Sequence, residues 1–210
     1  MNEPDQPENP IPREFHSEYE DRPFQNCSRC GEALSAFANY QINKAFRQGE
    51  CVFEYCFCEA CRDALLDEFS EESKENLMRH QNEHMRPDAS GTASCAFCGA
   101  QRSALPDQDF IITMLGTGLR MVDSLLICES CQIQMHELLS KKTRDVRRRF
   151  FEDLPGVPPD WEVWTPEEME HNKRIKTTKS PRPILKPDLV GQGRPVSHLA
   201  DDGCLELLWL

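Results

Sequence analysis

The sequence predicts a small zinc-stabilised α+β protein: two tandem four-cysteine modules, each a hairpin plus a long helix, between unstructured tails. Three observations predict it. Eight of the eleven cysteines fall in four C-x-x-C pairs, Cys27/Cys30, Cys58/Cys61, Cys95/Cys98 and Cys128/Cys131. The first and third pairs lie 68 residues apart and the second and fourth 70 apart, which is an internal repeat. The rest of the chain is polar, with 39% apolar residues and a mean hydropathy of −0.62, so a large self-sufficient core is not expected.

The repeat extends past the cysteines. The opening pairs read CSRCG and CAFCG, with Gly31 and Gly99 in the same place. The closing pairs read CEAC and CESC, each preceded by an apolar run and followed by a helical pattern. Two thiolates three residues apart can chelate one ion from a tight turn. A glycine after the second cysteine accepts positive φ, and turn N–H groups can face the sulfurs. A second pair at a helix start adds the positive end of the helix dipole. Together they form a tetrahedral S₄ site that suits Zn²⁺, so two zinc ions per chain are expected.

This layout resembles a treble-clef zinc finger, and loosely the N-terminal zinc-binding domain of the ClpX unfoldase, where CxxCG opens the unit and an apolar strand leads into a CxxC helix. The resemblance covers residues 27–66 and 95–140. It implies a fold type and no unfoldase activity, because the loops are longer here and no ATPase follows.

In chain order, residues 1–26 are acidic and Pro-rich, with seven acids against two bases, and are expected to be disordered. They lack the basic and apolar regions of a secretory signal. No run of about 18 apolar residues suggests a membrane span. A reducing cytoplasmic location follows as an expectation, in which paired cysteines hold metal rather than disulfides.

Module 1 is expected over 27–88 and module 2 over 89–155. Hairpins should lie between the pairs, with turns at Gln48-Gly49 and Gly116-Thr117-Gly118. Gly116, Gly118 and Arg120 do not make a phosphate loop, since G-x-x-x-x-G-K-[ST] is absent. Apolar positions Ala60, Ala64, Leu65, Phe69, Leu77 and Met78 predict one helix over about 59–85. Ile133, Met135, Leu138, Leu139, Val146 and Phe150 predict a second over about 129–153. Helices that long need a partner, and packing of one unit on the other through them is the expectation. The remainder, 156–210, reads as a Pro-rich flexible tail ending in the apolar peptide CLELLWL, a candidate docking segment.

Other candidates carry two readings each. Cys51 and Cys56 are small apolar strand residues, or spare thiols of a redox-responsive zinc switch that resembles redox-regulated chaperones in combining C-x-C with C-x-x-C. Lys141, Lys142, Arg144, Arg147, Arg148 and Arg149 compensate a helix dipole and pair with the acidic first helix, or bind nucleic acid. The net charge of −12, falling to roughly −16 with two S₄-bound zinc ions, argues against nucleic acid. His80 and His84 stand four apart on a helix without an evident third ligand. No nucleophile–base pair or open metal position is visible. The expectation is therefore a non-catalytic adaptor or regulatory protein with a protein partner and no membrane.

Overall fold

The computed structural model describes residues 9–105 and 109–154. Residues 1–8 and the predicted tail over 156–210, with its CLELLWL peptide, lie outside the described residues. The chain begins with a 3-10 turn at Arg13–Phe15 and continues through β1 (Tyr40–Arg47), β2 (Glu50–Cys58), α1 (Glu59–Glu68) and α2 (Glu71–His84). The second repeat follows with β3 (Gly91–Cys95), β4 (Phe110–Thr117), β5 (Arg120–Cys128), α3 (Glu129–Glu137) and α4 (Lys141–Glu152). Among the described residues no helix is long and apolar enough to cross a membrane.

All five strands form one sheet in the order β2-β1-β4-β5-β3. The repeats are therefore joined through their sheets, where helix packing alone was expected. β1 runs antiparallel to β4, and Asn43 pairs with Thr113, its own counterpart 70 residues later. Tyr40 pairs with Gly116 and Phe46 with Phe110, so an approximate two-fold axis passes between Asn43 and Thr113. The Thr113 hydroxyl donates to Asn43 Oδ1 at 2.8 Å on that axis.

The hairpin of β1 and β2 turns at Gln48 and Gly49, both at positive φ (53° and 82°), the backbone that a two-residue hairpin requires. The second hairpin turns at Gly118 and Leu119, one step beyond the expected Gly116-Thr117-Gly118. Gly116 lies inside β4 instead, beneath the Tyr40 ring. A Cβ there would stand 2.5 Å from the ring carbon that bears the hydroxyl. That hydroxyl passes on to donate to the Gly118 carbonyl at 2.8 Å.

The two long helices of the sequence reading are each broken. Ser70 and Ser140 have extended backbone and cap new helices, accepting from the N–H of Ser73 and of Thr143. A serine with a free hydroxyl three residues before a helical N–H competes with helix continuation. The break lets the second helix of each repeat change direction. At the break the two caps meet: Ser70 and Ser140 hydroxyls lie 2.8 Å apart. Ser70 N–H donates to Thr143 Oγ1 at 3.1 Å, and Ser140 N–H to Ser73 Oγ at 2.9 Å.

One face of the sheet is covered by these helices. Phe150 and Phe151 of α4 meet Phe57, Phe53 and Tyr55 of β2 edge-on, with centroids 4.7–6.1 Å apart. Leu77, Met135, Leu139 and Val146 are buried with them.

Residues 9–26 do not match the expectation of a disordered segment. From Asn9 they strap the sheet across both repeats, because Phe15 is fully buried and its neighbours find partners. Met121 N–H donates to the Asn9 carbonyl at 3.0 Å. Glu14 accepts from Arg102 and Thr92, each at 2.8 Å. Lys44, whose side chain is 0% exposed, reaches the His16 carbonyl at 2.8 Å and Glu18 at 2.7 Å. It also lies 3.4 Å from Glu54, itself 3% exposed, which accepts from Ser17 Oγ at 2.7 Å. A buried lysine and glutamate each need such partners.

Candidate metal centres

Each centre is assembled from a turn and a helix start. In the first, Gly31 N–H donates to the Cys27 carbonyl and Cys27 N–H to the Glu32 carbonyl, both at 2.9 Å. In the second, Gly99 N–H donates to Cys95 and Cys95 N–H to Ala100, again at 2.9 Å. Gly31 and Gly99 adopt φ of +75° and +72°, the left-handed backbone that closes these knuckles. Each hairpin then delivers its last residue, Cys58 or Cys128, as the residue capping α1 or α3. Cys61 and Cys131 follow in the first helical turn, near the positive helix end.

The structure brings all eight predicted ligands into two groups, Cys27, Cys30, Cys58, Cys61 and Cys95, Cys98, Cys128, Cys131. Within each, the four sulfurs lie within 4.8 Å of one another. Cys30 and Cys58 sulfurs are 3.9 Å apart, and Cys98 and Cys128 sulfurs 3.6 Å. A tetrahedron of sulfurs at ~2.3 Å from a zinc ion has edges of roughly 3.8 Å, so the donor sets fit the ion. Cys27, Cys58, Cys95, Cys128 and Cys131 are buried, whereas Cys30 and Cys98 sit on the exposed lip of each knuckle.

The thiol chemistry agrees. Burial alone would raise the pKa of Cys27, but the N–H groups of Cys30, Cys58 and Arg29 outweigh it and bring the thiol down to about 7. Hydrogen bonds from the Cys128 and Cys131 thiols hold Cys95 far below the usual range, and the same sharing drives Cys131 far above it.

Cys51 and Cys56 stand in β2 and join neither group. Cys56 is fully buried, and burial followed by the charges of Cys27 and Cys58 raises its pKa well above the ordinary value. Burial raises Cys51 to about 11, and its thiol donates to the Phe53 carbonyl at 3.7 Å. Neither has the lowered pKa of an activated thiol.

Four of the six basic side chains of α4 have partners within the domain. Arg144 donates to the Leu139 carbonyl at 2.6 Å, and Arg147 lies 5.9 Å over the Phe151 ring. Arg148 meets Asp145 at 3.3 Å and Glu152 at 3.9 Å, while Arg149 meets Glu68 of α1 at 3.9 Å. Lys141 and Lys142 are exposed in the first turn of α4. The His80 and His84 rings lie tilted to one another with centroids 4.6 Å apart, and His80 stacks on Phe97 at 5.4 Å, aromatic contacts with no third metal donor among the described residues.

Sequence reasoning missed the contacts of α2 and α4 with the knuckles. Arg86 N–H, just after α2, donates to the Ala96 carbonyl inside the second knuckle at 3.0 Å. Arg29, inside the first knuckle, lies 5.0 Å over the Phe150 ring of α4 and donates to the Cys61 carbonyl at 3.4 Å. The signal was the pair of cap patterns, Ser70-x-x-Ser73 and Ser140-x-x-Thr143.

No protein-family model, curated protein or solved structure matches the chain. The likeness to the ClpX-type domain therefore rests on the cysteine pairs and glycines alone.

Proposed function

We propose that this is a non-catalytic zinc protein in which two treble-clef-like modules form the frame of a protein-interaction adaptor or regulatory subunit. The observation that carries it is the pair of closed four-sulfur sets. Four protein ligands at tetrahedral spacing leave no position for a metal-bound water, which is the arrangement of structural rather than catalytic zinc. When bound, zinc supplies a cross-link between each knuckle and its helix. Cys27, Cys30, Cys58 and Cys61 would hold one ion, and Cys95, Cys98, Cys128 and Cys131 the other. The chain's own residues then present the helices and sheet to a protein partner, in a cytoplasmic setting that keeps thiols reduced.

The two alternatives have less support. A nucleic-acid regulator needs free cations, and four of the six basic residues are engaged within the domain. A redox switch needs an accessible thiolate at Cys51 or Cys56, and burial raises the pKa of both thiols.

Native mass spectrometry of the protein purified without chelator tests the reading, beside a denatured and reduced sample. Two zinc ions per chain with eleven free thiols after denaturation is the expected result. One ion, none, or intact disulfides would overturn the paired-site assignment.

A further inference from the structure

We infer that the two four-cysteine centres are energetically coupled through the crossed helices, so that metal at either centre strengthens binding at the other. This rests on the zinc reading above and adds a regulation of the same sites.

Each centre controls a helix whose far end shapes the other centre's knuckle. Cys58 and Cys61 fix the start of α1, which passes through Phe69 and the Ser70 cap into α2. At the end of α2, His80 stacks on Phe97, between Cys95 and Cys98. Arg86 then donates its N–H to Ala96, and its guanidinium reaches Ser94 Oγ at 3.2 Å. The same guanidinium lies 3.1 Å from where a Cβ on Gly99 would stand. The second knuckle is thus clamped by a helix that the first centre anchors.

The reverse path has the same form. Cys128 and Cys131 fix the start of α3, and the Ser140 cap redirects the chain into α4. Phe150 of α4 supports Arg29, between Cys27 and Cys30, and Arg29 also caps the Cys61 carbonyl of the first helix. The two paths cross where Ser70 and Ser140 share a hydrogen bond. Releasing the metal from one centre frees its helix start, loosens the crossing and withdraws the clamp from the opposite knuckle. Such coupling is reciprocal by linkage: the factor by which site one strengthens site two equals the factor in the other direction.

The test uses the full chain and zinc, with a chromophoric chelator as competitor. The half-site variants are Cys27→Ser/Cys30→Ser and Cys95→Ser/Cys98→Ser. In each, the remaining site should bind zinc about tenfold or more weakly than in the parent, by a similar factor in both directions. Remaining sites within about twofold of the parent in both variants would overturn the coupling. Where a half-site variant fails to fold, His80→Ala/Arg86→Ala decides, because it keeps all eight thiols. On partial chelation, native mass spectra of that variant should show more one-zinc chain than the parent. An unchanged one-zinc fraction would overturn the inference. A parent chain that binds no zinc would overturn both this inference and the zinc reading, whereas two independent ions would overturn this one alone.

Discussion

The two repeats share their turns and differ in what lies between them. Both knuckles and both capping serines keep the same positions and the same hydrogen bonds, and both hairpins turn at equivalent positions, although Leu119 lacks the positive φ of Gly49. The strand interiors have diverged. Lys44 and Glu54 in the first repeat stand where the second has Met114 and Ser124. Phe46 stands where the second has Gly116, and His80 where it has Phe150. The difference teaches that local geometry around the sulfurs holds each module, which leaves the sheet face free to change. In the first repeat that freedom produced a buried ion pair, and the pair requires the strap at residues 9–22 to satisfy it. The second repeat needs no such cover for Met114, an apolar side chain.

Removing metal should erase the comparison altogether. Binding energy at a structural zinc site is folding energy, of about 10–16 kcal/mol per site, so chelation should abolish the helical circular dichroism of both repeats. Retention of native helix content without metal would show that the sheet stands alone.

Making the first repeat resemble the second sharpens the contrast. Lys44→Met leaves Glu54 buried without its lysine and should cost about 3–5 kcal/mol in denaturant unfolding. Lys44→Met/Glu54→Ser, which installs the residues of the second repeat, should recover most of that loss. A double variant as unstable as the single would place the cost in the strap contacts rather than in the unpaired charge.

Gly116→Ala should destabilise by about 1–3 kcal/mol, because the added carbon meets the Tyr40 ring. Tyr40→Ala in the same chain should make the glycine replacement close to neutral. Ser70→Ala and Ser140→Ala should each cost about 1 kcal/mol, and their double variant should cost less than the sum because each cap supports the other.

The last effect concerns pH and shows only under acidification. His136, where the first repeat has Leu66, is lowered to about 4 by burial, then by Arg147 and Arg144. The folded chain therefore resists protonating it, while the unfolded chain takes up the proton near 6.5. Stability from this group is present at neutral pH and lost as the pH falls from about 6.5 to about 4. His136→Gln should flatten that part of the stability profile relative to the parent, and an unaltered slope would assign it to the thiolates.

The metal centres were legible because their chemistry is local: C-x-x-C-Gly states both the ligand and the turn that carries it. The repeat offset placed the partner pair, and the glycine-bearing turns between the pairs placed the hairpins. The helix breaks were not legible from periodicity, since Phe69 and Leu139 just before the capping serines and Leu77 and Val146 after them continue the apolar stripe. Gly116 looked like a turn residue because its true reason, the ring of Tyr40, comes from 76 positions earlier in the chain. The strap was hidden by composition. Seven acids and several prolines outweigh a single Phe15, yet that one side chain is fully buried.

The strap also sets an order of events during synthesis. Residues 9–22 leave the ribosome well before most of their partners exist. Asn9 bonds to Met121, 112 residues later, and Glu14 to Arg102, 88 later. Closing loops of that length precedes any gain from the contacts they allow. The start of the strap therefore waits for the second repeat, while His16, Ser17 and Glu18 find Lys44 and Glu54 within the first.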